Sequence, residues 1–111
     1  EFMYVDDLAR AAMFVLEASK NIYQGSTQPM LSHINVGVGN DIMIKDLAQL
    51  ISEIIEYKGK IRFDRTMPDG APRKLLNSEK LKKLGWQPKT KLQEGISLAY
   101  KDYLHLISLK I

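Results

Sequence analysis

The sequence predicts an α/β fold of short strands with three to four helices. Two observations carry this. Segments of strand-like alternation interleave with amphipathic helical stretches. Turn residues also punctuate the chain at each change of period. Its 45% hydrophobic and 26% charged residues place it among ordered chains rather than disordered ones.

Phe2-Met3-Tyr4-Val5 reads as a short extended run. Asp6 and Asp7 follow, and helix capping at a start near them is the reading we give to both. The first helix is predicted to reach about Lys20, with Leu8, Ala12, Val15 and Leu16 on one face. The segment Gln24 to Pro29 is a loop by composition. His33-Ile34-Asn35-Val36 reads as a second strand, and Gly37-Val38-Gly39 as a tight turn after it. Ile44, Leu47, Ala48, Ile51, Ile54 and Ile55 recur at spacings of three and four, which predicts a helix stopping near Tyr57-Lys58-Gly59.

Lys60 to Asp64 alternates polar and apolar residues, as a half-buried strand does. Thr66 to Pro72 is a loop, and Arg73 to Leu76 can extend. Asn77 or Ser78 caps a short helix that ends at Leu84, with Gly85 as its stop. Thr90-x-x-Gln93 is a capping box for a last helix. Its predicted stripe is Leu92, Ile96, Ala99, Tyr100, Tyr103 and Ile107.

Several function classes lack their residues. There is no cysteine, so thiolate metal sites, disulfides and cysteine nucleophiles are excluded within this chain. No signal peptide and no bilayer-spanning run is visible, which is compatible with a cytoplasmic protein and predicts no membrane partner. His33 and His105 stand 72 positions apart with no carboxylate at ligand spacing, so no metal site is expected. His33 is read as a structural hydrogen-bonding residue and His105 as peripheral. Gly37-x-Gly39 lacks a third glycine at the dinucleotide-binding spacing and is read as a turn rather than a phosphate loop. No tyrosine is followed four residues later by lysine. No catalytic residue and no cofactor-binding residue is therefore assigned.

Charge is uneven. Residues 1–57 carry three cations against eight carboxylates, a net of −5, and residues 58–91 carry eleven against three, a net of +8. A basic middle segment suits an anionic partner. Nucleic acid is disfavoured, because the basic helix near Lys80 is short and no aromatics alternate with the cations as stacking platforms. The cluster Met67-Pro68-Asp69-Gly70-Ala71-Pro72-Arg73-Lys74 offers a different use. Asp69 can accept from the vicinal hydroxyls of a sugar, while Arg73 and Lys74 can bind phosphate. The same string reads equally as a surface turn with a basic flank, and the residues alone leave both readings open.

Six strings carry a resemblance. Glu1-Phe2-Met3-Tyr4-Val5-Asp6-Asp7-Leu8-Ala9, Ile34-Asn35-Val36-Gly37-x-Gly39 and Ile44-Lys45-Asp46-Leu47-Ala48 resemble the extended short-chain dehydrogenase/reductase superfamily. Thr27 to Gly37, Tyr57-Lys58-Gly59 and Pro68-Asp69-Gly70-x-Pro72-Arg73-Lys74-Leu75-Leu76 resemble its GDP-L-fucose synthase family. The similarity runs from residue 1 to about 107 in one register.

The resemblance implies that residues 1–111 are a C-terminal substrate-binding domain, with a Rossmann cofactor domain upstream as its partner. It implies an NADPH-dependent epimerase/reductase that makes GDP-L-fucose from GDP-4-keto-6-deoxy-mannose. In that family the aspartate matching Asp69 contacts the substrate and the lysine matching Lys74 helps hold the pyrophosphate. Arg73 matches the motif and is carried as a substrate-binding candidate without an assigned contact. The family's cofactor loop, tyrosine–lysine pair and epimerisation cysteine and histidine lie upstream. NADP is thus expected to bind the full-length protein and not this chain, which is expected to be inactive alone. Dimerisation or strand exchange between copies is also expected. The alternatives are the substrate lobe of another nucleotide-sugar epimerase/reductase, or a non-catalytic binding module of the same fold.

Overall fold

A computed structural model describes residues 1–109; Lys110 and Ile111 lie outside the described residues. Five helices follow one another: α1 (Val5–Glu17), α2 (Lys20–Ser26), α3 (Ile44–Ile54), α4 (Glu79–Lys83) and α5 (Leu92–Ser108). Of these, α3 packs against α5.

The helix ends follow from local chemistry. α1 starts one turn earlier than the aspartates suggest. Tyr4 is its N-cap residue, and Asp6 and Asp7 lie inside the first turn, where their charge favours the exposed N–H groups. The helix breaks at Ala18, which turns extended (φ −61°, ψ 135°). Ser19 then caps α2 by accepting the Ile22 N–H at 3.4 Å. The predicted first helix therefore stops at Glu17 rather than near Lys20, and α2 is an additional helix that occupies part of the expected loop. Pro29-Met30 forms a turn with Met30 at φ 66°, closed by an isolated antiparallel bridge between Gln28 and Leu31.

α3 ends as its sequence predicts. Glu56 takes φ 55°, its N–H reaches the Glu53 carbonyl, and the Tyr57 N–H reaches that of Ser52. The same double closure ends α4, where Gly85 (φ 100°) donates to Lys82 and Trp86 donates to Leu81. The Asn77 side chain accepts the Glu79 N–H at 3.0 Å and opens α4. α5 begins at Leu92 with Lys91 as N-cap residue and no capping side chain, so the Thr90 capping box does not form. Its Thr90 N–H is already taken by the buried carboxylate of Asp7 at 2.9 Å.

The predicted strands at residues 2–5, 33–36 and 60–64 are not paired strands. Among the described residues the Gln28–Leu31 bridge is the β pairing present. Extended backbone becomes a sheet only when a second backbone supplies its N–H and C=O partners. Here the neighbouring extended segments meet through side chains instead.

The core is small. Ala11 and Leu81 are its fully buried apolar side chains, with Asp7 as the buried charge among them. α1 turns Ala11, Phe14 and Val15 inward and leaves Leu8, Ala12 and Leu16 exposed. That rotates the packing face away from most of the predicted stripe. The rotation follows from Asp7, which lies one turn before Ala11 and must reach the backbone of Lys89 and Thr90. On α5 the stripe splits: Leu92, Ile96 and Tyr100 are half-buried, while Ala99, Tyr103 and Ile107 are exposed. The radius of gyration is 17.9 Å, against about 13 Å for a self-contained domain of this length. Its accessible surface is 9427 Å², against about 6,200 Å² for a compact protein of this mass.

Candidate functional site

Residues 56–77 form an arm whose every residue is exposed, and it carries the Pro-Asp-Gly-x-Pro-Arg-Lys string. Its outgoing end is held to the turn that follows Val36. Side chains of Glu1, Asn35 and Asp41 do this, each across a long stretch of sequence.

Glu1 is the first. Its Oε1 accepts the Gly39 N–H at 2.8 Å and its Oε2 accepts the Leu76 N–H at 2.9 Å. The Glu1 nitrogen donates to the Lys74 carbonyl at 3.3 Å. The carboxylate also lies close over Gly37: a Cβ added there would stand 2.6 Å from Oε1, so a side chain at 37 would displace the Glu1 carboxylate from its present position. Burial opposes ionisation of Glu1, but the N–H groups of Leu76 and Gly39 outweigh it and lower its pKa. Asn35 adds another bond, its Nδ2 donating to the Asn77 carbonyl at 3.1 Å.

Asp41 is paired with Arg73. The guanidinium Nε donates to Asp41 Oδ2, and Nη2 donates to Oδ1 at 3.3 Å. The Arg73 guanidinium lowers the Asp41 pKa, and Asp41 raises that of Arg73. Asp41 in turn lines a hollow of about 620 Å³ with Phe2, Lys89, Lys91 and Leu92.

The three residues expected to bind substrate are therefore on one arm but in different situations. Arg73 is committed to a carboxylate. Among the described residues, neither the Asp69 carboxylate nor the Lys74 ammonium has a hydrogen-bond partner. The lining of that hollow includes none of the three. A sugar diphosphate could take its hydroxyl and phosphate partners from Asp69 and Lys74, whereas Arg73 would first have to leave Asp41.

The Gly37-Val38-Gly39 turn does not fit a dinucleotide. A phosphate loop needs free N–H groups and a helix N-terminus behind them. Here the Gly39 N–H already holds the Glu1 carboxylate, and α3 begins only at Ile44. This chain's residues do not fit NADP there. Among the described residues no group of three His, Asp or Glu could hold a metal ion. His33 is exposed, and no hydrogen bond of its ring is present among the described residues, so the structural role expected for it is not seen; His105 is exposed as well. No helix of the described residues is long and apolar enough to cross a membrane.

Glu1, Asn35 and Asp41 were invisible as site residues in the sequence. Their partners lie 75, 42 and 32 positions away, and no local spacing announces such bonds.

No family model matches the chain. It is 46% identical over 94% of its length to the GDP-L-fucose synthase of Escherichia coli (strain K12), covering 32% of that protein. It is 35% identical over 95% of its length to the GDP-L-colitose synthase of Yersinia pseudotuberculosis, again covering 32%. Among solved structures it superposes with a TM-score of 0.71 on a GDP-mannoheptose C4 reductase from Campylobacter jejuni with NADP bound, at 31% identity, covering 94% of this chain and 31% of that one. The chain thus spans about a third of the length of the relatives it matches. Over nearly all of its length the chain is similar to the C-terminal part of GDP-L-fucose synthases, and the reductase it superposes on is of the short-chain dehydrogenase/reductase type.

Proposed function

We propose that this chain is the GDP-sugar-binding part of an NADP-dependent epimerase/reductase that converts GDP-4-keto-6-deoxy-mannose to GDP-L-fucose. One observation carries the reading: the arm bearing Asp69 and Lys74 is pinned at Leu76 by the Glu1 carboxylate, while among the described residues both side chains stay free for a ligand. Asp69 accepts from sugar hydroxyls, and Lys74 supplies positive charge to the diphosphate. Arg73 serves the same end of the site, held by Asp41.

NADP, when bound to the whole protein, supplies the hydride. Among the described residues the glycine turn is not open to it, and this reading assigns NADP to another part of the whole protein. Residues 1–111 act as the substrate-binding domain and pack on that cofactor domain, which covers apolar faces such as Leu8, Ala12 and Leu16. A dimer of the whole protein is compatible with the same uncovered faces. The excess of accessible surface supports both. A biosynthetic enzyme of this kind is placed in the cytoplasm.

The test is kinetic. In the protein that carries this chain, Lys74→Ala should raise the KM for the GDP-sugar about tenfold or more, the size of a lost charged hydrogen bond. The KM for NADPH should stay put. An unchanged KM for the sugar nucleotide would remove Lys74 from the site. A second reading, reduction or epimerisation of another GDP-linked sugar, is favoured by the colitose synthase and mannoheptose reductase similarities. Turnover of a panel of GDP-, UDP- and dTDP-linked keto sugars separates the two.

A further inference from the structure

We infer that Glu1 is a positioning residue for the sugar-nucleotide site, acting through Lys74, with the Asp41–Arg73 pair as its second anchor; the inference rests on the assignment of Lys74 as a diphosphate ligand. The arm has no buried side chain of its own from residue 56 to residue 77, so hydrophobic packing does not fix its course. A lysine on such an arm would present its charge over a wide volume, and each productive encounter would carry the entropy of ordering the backbone beneath it.

The structure removes that freedom at the backbone on both sides of Lys74. Ahead of it, Arg73 is forked onto Asp41. Beyond it, the Leu76 N–H is held by Glu1 Oε2 at 2.9 Å. The other oxygen of the same carboxylate binds the Gly39 N–H at 2.8 Å, so one side chain bolts the arm to the glycine turn. A neutral amide cannot reproduce this. Glutamine has one acceptor oxygen where the turn and the arm each require one, and its NH₂ would face an N–H donor.

Glu1 therefore does in this chain what a strand ladder would do in a sheet, and the freedom left to Lys74 is that of its side chain alone.

The experiment is a double-mutant cycle in the protein that carries this chain, with the KM for the GDP-sugar, the KM for NADPH and kcat at saturation as readouts. Glu1→Gln is expected to raise the sugar-nucleotide KM about fivefold to tenfold, with the KM for NADPH and the thermal midpoint near wild type. In a Lys74→Ala background the same change is expected to add less than twofold, because its route of action is already gone. Asp41→Asn, which breaks the Arg73 pair, is expected to behave in the same way with a smaller effect and a thermal midpoint near wild type. Glu1→Asp, which keeps the charge on a shorter stem, should recover part of the loss.

Full additivity of Glu1→Gln and Lys74→Ala would overturn the positioning role while leaving Lys74 as a ligand. So would a Glu1→Gln protein that raises both KM values together, the sign of general damage. A wild-type sugar KM in Lys74→Ala itself overturns the binding assignment beneath it.

Discussion

Asp7 shows how one residue can look local and act at a distance. It is fully buried, and it accepts the N–H groups of Lys89 at 3.0 Å and Thr90 at 2.9 Å while pairing with Arg10. Burial works against its charge, but the Lys89 N–H, the Arg10 guanidinium and Thr90 overcome that and hold its pKa at about 2. In the sequence, a pair of aspartates before a helix reads as capping, because capping is the use that needs no distant partner. The actual partners are 82 and 83 positions on, where nothing in the local pattern points back.

Asp7→Ala strands two N–H groups and an arginine, and should cost about 2–3 kcal/mol in urea unfolding. A folded pKa below the unfolded 3.8 means the carboxylate stabilises above about pH 4 and loses its effect as pH falls toward 2. Wild-type and Asp7→Ala midpoints should therefore converge on acidification. Parallel curves down to pH 2 would refute this account of Asp7.

The helices were legible as elements because each carries its own signals. The periodicity of α3 and the glycine stop of α4 sit within a few residues, and the structure places both as read. Unlike the other four, α2 was missed: the first helix reads to about Lys20 and Gln24 to Pro29 reads as loop, and Ser19, the N-cap residue of α2, lies inside the predicted run. The strands were misjudged for a different reason. Alternation reports which faces can be buried, not whether a second backbone lies alongside.

Packing between elements is where a single atom decides. Gly95 is buried in α5 against Tyr4, and a Cβ there would stand 3.0 Å from the Tyr4 Cβ, an atom fixed to the backbone that opens α1. Alanine is the better helix former by roughly 0.5–1 kcal/mol. Overpacking costs about 1–3 kcal/mol. Gly95→Ala should thus destabilise by about 1 kcal/mol in thermal or urea unfolding, and a gain in stability would show that α1 and α5 are not in this register.

At the scale of the whole molecule, the surplus of surface is the dominant fact. Val5, Leu8, Met13 and Leu16 of α1 are more than half exposed, and so is Tyr103 of α5. Faces of that kind seek cover. Produced by itself, the chain should scatter light as a concentration-dependent dimer or larger species and bind a hydrophobic dye; a monomer at all concentrations that leaves the dye dark would contradict this. The sequence showed the apolar stripes but not which of them would be left open, because that depends on how Asp7 sets the rotation of α1.

The candidate site followed the same division. Asp69, Arg73 and Lys74 were visible as a string whose chemistry suits a sugar diphosphate. The clamp that places them was not, since Glu1, Asn35 and Asp41 come from three other parts of the chain. The most direct measurement is a structure of the protein that carries this chain with its GDP-sugar bound. The account predicts the Lys74 ammonium within hydrogen-bonding distance of a diphosphate oxygen and Asp69 against the sugar hydroxyls, with Glu1 still bridging Gly39 and Leu76. A nucleotide bound away from the arm, with Lys74 in solvent, would contradict it.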